Sequence, residues 1–280
     1  LARRGYRRIP GPAPLQESLA AAIIAASGWK PEQPFVNPMC GSGTLAIEAA
    51  LQACRVAPGL MRHNYGFMHC LGYEPAVWRE LTLTARQTRL QEPPAPIIAS
   101  DIAMPAIEAS KKNEECAGLR NCITYQVCDF RYTTVPPEPG VVILNPEYGE
   151  RLGEVSELFE VYREIGDFFK KSCAGYRGYV FTGSMELSRQ IGLRSNKRVP
   201  FFNGRLECRL VEFELYTGSK RTPLPDAEAP TAETDPATES PVADETSVAV
   251  ETPAPAEVET PVAPATPSAT PPPAPAPEAP

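Results

Sequence analysis

Residues 222–280 contain no lysine, arginine or histidine, no glycine, no cysteine and no aromatic residue. Such a stretch cannot bury enough apolar surface to offset its ordering entropy, so no folded domain is expected there. What it does hold is 11 of the chain's 34 acidic residues and 16 of its 33 prolines. All 27 basic residues lie at or before Arg221, with 23 acids, a balance of +4; the overall −7 therefore describes neither part. Two further scarcities narrow the class. There are only two histidines, and no CxxC pair occurs among the eight cysteines. Cys116, Cys122 and Cys128 recur every six residues, a wider spacing than zinc motifs use, and no histidine is near. They read as small apolar residues, and all eight as reduced thiols in a cytoplasmic protein without a metal site. Long apolar runs are absent too. The longest uncharged one, residues 18–29, falls short of the ~20 a membrane span requires. The opening LARRGYRRIPGP lacks the apolar core of an export signal. The first residue is Leu1 instead of Met, and the expectation is a chain cut from a longer one.

Up to Arg221 the pattern is that of an α/β domain. Residues 15–27 place Leu15, Leu19, Ile23 and Ala26 on one face, with Gly28 positioned to end a helix. Phe35 and Val36 lead into NPMCGSGT, and Ile47, Leu51 and Cys54 repeat with helical spacing: strand, Gly-rich turn, helix. A variable stretch follows. Ile97–Asp101 then reads as a short buried strand ending in an acid, with Pro105 suited to the first turn of a helix. Residues 123–129 form a second strand ending in an acid, and Val141–Leu144 the most apolar strand, running into NPEYG. Leu158, Val161, Ile165 and Phe169 mark a helix, residues 178–182 a fifth strand, and the alternation around Asn203 and Gly204 a terminal hairpin. Strands alternating with helices predict a mainly parallel sheet, whose ligands bind beyond the C-terminal strand ends. Asn37, Asp101, Asp129 and Asn145 stand at those ends.

Gly41 and Gly43 let backbone approach a ligand, and the helix starting near Thr44 offers free N–H groups. With Ala46 they also fit a dinucleotide-binding fingerprint, but that reading needs an acid about 20 residues on. Asp101 comes 60 residues after Gly41, which disfavours a nicotinamide or flavin enzyme. Asp101 is expected either to cap the helix behind it or to bind a ribose, and the two are compatible because each needs one carboxylate oxygen. In NPEYG, Asn145 offers an amide oxygen, Pro146 a carbonyl and Tyr148 an aromatic plane. This set suits the exocyclic amine of a flipped nucleobase, held by two acceptors so that its lone pair is freed for attack. A plain Asn-Pro turn is the alternative.

Taken together, RRGYR with APL, NPMCGSGTLAIEAA, ASDI with AIEASKKN, the CDF strand end and NPEYGERLGE resemble the THUMP-associated class I RNA methyltransferases, over roughly residues 3–216. The likeness is greatest to the large-subunit ribosomal RNA methyltransferases of L type. It implies a Rossmann-like seven-stranded, mostly parallel sheet with an antiparallel last strand, in an S-adenosylmethionine-dependent domain over residues 1–221. Residues 222–280 would form a disordered acidic tail, inert or modulating RNA binding. By the same resemblance, Asn37, Cys40, Gly41, Gly43 and Thr44 would surround the methionine end of S-adenosyl-L-methionine. Asp101 would take the ribose hydroxyls, Ile102 would pack on the adenine, and Asp129 and Phe130 would recognise it. Asn145, Pro146 and Tyr148 would hold the target guanine for methylation at N2, with large-subunit ribosomal RNA as partner.

Three features depart from the family pattern. Asn37 replaces an Asp, which should weaken the hold on the cofactor's ammonium group. Glu147 replaces the second Pro of NPPY, removing a rigid constraint and adding a charge beside the base. The THUMP domain that precedes RRGYR in the family is not in this sequence, and full RNA affinity is expected to need it. Alternative readings are a tRNA guanine-N2 or nucleic-acid adenine-N6 methyltransferase, or a degenerate RNA-binding homologue without activity. Two basic groups, Arg3, Arg4, Arg7 and Arg8 around Tyr6, and Arg194, Lys197, Arg198, Arg205 and Arg209, fit phosphate tracking with base stacking, or else a solvated basic face. A charge of +4 predicts weak, steeply salt-dependent RNA binding by this part alone.

Overall fold

The computed structural model describes residues 4–9, 15–148 and 155–216. Arg3, residues 149–154 of the NPEYGERLGE stretch and the acidic tail lie outside the described residues.

Seven strands form one sheet: β1 (Phe35–Pro38), β2 (Ile97–Asp101), β3 (Thr124–Val127), β4 (Val141–Leu144), β5 (Arg177–Thr182), β6 (Ser195–Asn203) and β7 (Leu206–Glu214). Their order is β3-β2-β1-β4-β5-β7-β6. The pairs from β3 through β5 are parallel, and β7 runs antiparallel to both β5 and β6. The expected mostly parallel sheet with a terminal antiparallel hairpin is thus present. Gly204 supplies the left-handed residue at the hairpin tip, with φ +67°.

Near-continuous apolar runs in β1, β2 and β4 follow from burial on both faces of the sheet. Phe35, Ile97, Ala99, Val141 and Ile143 face one layer, formed by α1 (Glu17–Ser27), α2 (Thr44–Ala53) and the segment around Tyr6 and Leu15. Val36, Ile98, Val142 and Leu144 face the other, where α5 (Val155–Ser172) contributes Tyr162, Ile165, Phe168 and Phe169. Period-two alternation along each strand sends successive side chains to opposite layers. Gly28 ends α1 in the left-handed conformation, its N–H bonded to the Ala25 carbonyl.

Two helices escaped the sequence reading. α3 (Pro75–Gln87) lies in the variable stretch; none of its residues is fully buried, although Val77, Trp78, Leu81 and Ala85 recur at helical spacing and Trp78 packs edge-on against Tyr65 and Phe67. α6 (Met185–Gln190) is one and a half turns long, with the Ser184 hydroxyl accepting from the Leu187 N–H as its cap. α4 (Met104–Cys116) has Pro105 in its first turn as expected, but its cap residue is Ala103 and no side chain caps it. Asp101 instead accepts the Ala103 N–H two residues on, an Asx-type turn ahead of the helix. Among the described residues no helix is long and apolar enough to cross a membrane, and no cluster of three His, Cys, Asp or Glu side chains has metal-binding geometry.

Candidate active site

The sheet order reverses direction between β1 and β4, and a crevice at such a reversal is where open α/β sheets bind ligands. Along the C-terminal edge the strands bring up, in spatial order, Asp129 just past β3, Asp101 at the end of β2, Asn37 with the Gly-rich loop after β1, and Asn145 after β4. Four residues separated by up to 108 positions in sequence become a single row.

The Gly-rich loop is held in place from three directions. Asp101 Oδ2 accepts the Gly41 N–H at 2.9 Å while its Oδ1 accepts the Ala103 N–H at 3.0 Å. The Ser110 hydroxyl donates to the Gly41 carbonyl at 2.8 Å, and Asn113 Nδ2 donates to the Ser42 carbonyl at 3.1 Å. Gly41 and Gly43 both have positive φ, and a Cβ on Gly43 would come within 2.8 Å of the Ser110 hydroxyl oxygen. At Gly43 the two requirements coincide, and glycine alone meets them together. Thr44 opens α2 directly behind. Cys40 sits beside Ser110 with its sulfur 4.0 Å from that hydroxyl, and burial, reinforced by the Asp101 charge, pushes its thiol up to about 12.

Asn37 is buried. Its Nδ2 donates to the Ile143 carbonyl of the neighbouring strand at 2.9 Å, and its Oδ1 has no partner. Asn145 Oδ1 is likewise buried without a partner. Unpaired buried acceptors are costly and uncommon, and two of them on adjacent strand ends mark where a ligand's N–H groups would be received. Ile102 is 72% exposed beside Asp101, an apolar side chain left uncovered at the crevice. Asp129 accepts from Arg131 through Nε at 2.9 Å, Nη2 at 2.7 Å and the backbone N–H at 2.9 Å. That pairing holds its carboxyl below the usual range. Phe130 is buried, its ring packed at 84° to that of Phe168.

Past Asn145, Pro146 is buried and Glu147 exposed. The Tyr148 hydroxyl takes a 3.3 Å hydrogen bond from Asn203 Nδ2 and one from the Cys208 thiol at 3.7 Å. Its ring lies edge-on to Phe181 and against Gly183, where a Cβ would approach it to 3.0 Å. Partial burial and the Cys208 contact raise its hydroxyl to about 12, against the effect of Asn203, so it stays protonated. The ring is held in place by these contacts.

Sequence reasoning missed Ser110 and Asn113. Both are fully buried on the face of α4 that also carries Ile107, and polar residues falling in register with an apolar stripe were the available signal. Asn113 also accepts the N–H groups of Arg8 and Ile9 and donates to the Ile9 carbonyl, tying the N-terminal segment to the Gly-rich loop. The basic group around Tyr6 requires correction. Tyr6 is buried with its hydroxyl bonded to Glu48 at 2.9 Å, Arg4 pairs with Glu48 at 2.7 Å, and Arg7 lies 3.6 Å from Glu17. These residues anchor the segment to α1 and α2, and Tyr6 has no face free for stacking. In the hairpin group, Arg194, Lys197, Arg198 and Arg205 remain exposed, while Arg209 is half-buried and pairs with Glu207.

Residues 4–212 match the UPF0020 family, described as an RMKL-like methyltransferase domain. The chain belongs to that family. It is 39% identical over 216 residues to the Synechocystis protein slr0064, provisionally named as an RNA methyltransferase, covering 77% of this chain and 56% of the relative. It is 39% identical over 229 residues to the ribosomal RNA large subunit methyltransferase K/L of Shewanella baltica, covering 80% of this chain and 32% of that protein. The chain therefore spans about half, or a third, of the length of these relatives. Among solved structures, SMU.472, provisionally named as a methyltransferase and crystallised with SAH, superposes with a TM-score of 0.70 at 29% identity, over 77% of this chain and 56% of that one. The seven-stranded fold is that of the class I methyltransferases.

Proposed function

We propose that this domain transfers the methyl group of S-adenosylmethionine to the exocyclic N2 amine of a guanine in large-subunit ribosomal RNA. The observation that carries the reading is the row of groups along one sheet edge, with two buried, unpartnered amide oxygens at the ends of the adjacent strands β1 and β4. An adenosine fits the Asp101–Asp129 end of this row, an aminoacyl group the Gly-rich loop and Asn37, and a base the Asn145 end. When bound, S-adenosylmethionine supplies an electrophilic methyl on a sulfonium centre.

The chain's own residues then position and orient. Asn37 Oδ1 meets the ammonium group with a neutral acceptor instead of a carboxylate. The N–H groups after Gly43 face the carboxylate end. Asp101 uses the lone pairs left over from Gly41 and Ala103 for the ribose hydroxyls, and the exposed Ile102 covers one face of the adenine. Asn145 Oδ1 and the Pro146 carbonyl accept the two hydrogens of the target amine, and Tyr148 offers its ring to the base. With its two hydrogens held by Asn145 and Pro146, the amine would have its lone pair free for the methyl group that the cofactor would supply, and would release its proton to water. Alignment is the requirement, so the absence of a strong base among these residues is no obstacle.

The relative named for large-subunit ribosomal RNA supports the substrate class. With a charge of only +4 up to Arg221, weak RNA binding by this domain is expected, and the proposal assigns most of the affinity to a separate THUMP module. The test is product analysis. Large-subunit RNA is incubated with the protein and methyl-labelled S-adenosylmethionine, then digested to nucleosides. N2-methylguanosine is the expected label; N6-methyladenosine, or labelling of transfer RNA alone, would overturn the assignment.

A further inference from the structure

Tyr162 lies at the middle of α5, fully buried, and nothing in the proposed chemistry uses it. Its hydroxyl reaches two groups. One is Thr182 Oγ1 at 2.8 Å, at the end of β5; the other is the backbone carbonyl of Glu147 at 3.4 Å, inside the segment that carries Asn145, Pro146 and Tyr148. Thr182 Oγ1 in turn accepts the Ser184 N–H at 3.1 Å, at the cap of α6. A consistent proton assignment runs in one direction. The Ser184 N–H donates to Thr182, and the single Thr182 hydroxyl hydrogen can reach Tyr162 at 2.8 Å or the Ser184 carbonyl at 3.4 Å; taken by the shorter contact, it leaves the Tyr162 hydroxyl to donate to the Glu147 carbonyl. Tyr162 and Thr182 are fully buried and Ser184 is half-buried, while the Glu147 side chain is exposed and its carbonyl turns inward to Tyr162. Burial is the main reason the acidity of its hydroxyl is suppressed.

Glu147 has no ring to fix its φ, unlike the Pro146 before it. Between the strand end at Leu144 and Tyr148, whose ring is held separately by Asn203, Cys208 and Gly183, the peptide after Glu147 has one described restraint from outside the segment, the Tyr162 hydroxyl.

We infer that Tyr162, relayed by Thr182, is a positioning residue that orients the Glu147–Tyr148 peptide and so sets the placement of Asn145 and Pro146 for the target amine. This rests on the base-pocket reading proposed above. It touches no reacting atom; it acts by denying the pocket loop an alternative orientation, which matters because displacements below 1 Å at a reacting centre cost rate.

The test uses the full chain with Tyr162→Phe, which deletes one oxygen and keeps the ring, and Thr182→Val as a second variant should the first not fold. Amide hydrogen exchange over residues 145–148 should accelerate by up to about tenfold, the worth of one hydrogen bond, with the rest of the sheet unchanged. kcat for RNA methylation should fall by a similar factor, about tenfold, while the S-adenosylhomocysteine Kd holds. Adding Glu147→Pro to Tyr162→Phe should recover most of the loss, because a ring restores the restraint by another route. Wild-type exchange and kcat in Tyr162→Phe would overturn the proposal, as would a parallel loss of cofactor affinity or no recovery with proline. Asn145→Ala is run alongside: methylation that survives it would sink the pocket reading itself, while the exchange measurement still decides the tether.

Discussion

Asn37 Nδ2 donates to the carbonyl of Ile143 across the β1–β4 boundary, 2.9 Å away and 106 residues later in sequence. This bond fixes which way the amide faces. The nitrogen is committed to the neighbouring strand, so the oxygen is the atom left without a partner. Asparagine here is a donor and an acceptor at once, a combination that an ionised aspartate cannot provide. The departure from the family's acid is therefore accommodated by the surrounding backbone.

Asn37→Asp should destabilise the fold. A carboxylate at this buried position would face the Ile143 carbonyl with no hydrogen to give, leaving that acceptor unpaired at a cost of about 1–3 kcal/mol. Thermal and urea unfolding of the variant beside wild type measure it directly. An unchanged midpoint would show that the Ile143 bond contributes nothing.

Asp101→Ala should loosen the Gly-rich loop and weaken cofactor binding together. The substitution removes the acceptor for Gly41 and for Ala103 as well as the proposed ribose partner. Calorimetric titration with S-adenosylhomocysteine should show Kd rising by a factor on the order of ten to a hundred, as for the loss of one charge-assisted hydrogen bond. A Kd equal to wild type would make Asp101 a turn residue only.

Asn145→Ala should separate transfer from binding. Its side chain stands at the β4 end, away from the Asp101 side of the row, so cofactor affinity is expected to persist while methyl transfer falls by more than about a hundredfold. Near-normal turnover in this variant would refute the pocket.

Glu48 gives a pH-dependent prediction. Burial pushes its carboxyl up to about 7 from the ordinary 4.5, against the opposing effects of Arg4 and the Tyr6 hydrogen bond. The folded state therefore binds this proton more tightly than the unfolded one. Its contribution to stability is fully present below pH 4.5 and is lost as pH rises through 7. The loss amounts to about 3 kcal/mol at most. Glu48→Gln, which keeps an acceptor for Tyr6 and Arg4, should flatten that decline across the same window. A slope identical to wild type between pH 4.5 and 7 would exclude Glu48 as its source.

The strands and the major helices were legible because their signals are local. β2 and β4 coincide residue for residue with the strands expected, and Gly28 ends α1 where a helix end was expected, since burial on both faces and a missing Cβ each write themselves into neighbouring residues. α3 was overlooked although Val77, Trp78, Leu81 and Ala85 give it a helical stripe; that stripe meets only Tyr65 and Phe67 and stays outside the core. The basic cluster near Tyr6 misled because a list of charges does not say which of them meet a buried carboxylate.

By itself, then, the sequence determined the alternating α/β order, the glycine turn and the polar strand ends, because short-range sterics and periodicity decide those. Tertiary structure alone decided that Asp101 reaches Gly41, that Asn113 clasps Ser42 and Ile9, that Tyr162 reaches Glu147, and that Arg4 and Tyr6 turn inward to Glu48. Each of these joins groups far apart in the chain. Their partners are set by strand order and layer packing, which no local pattern encodes.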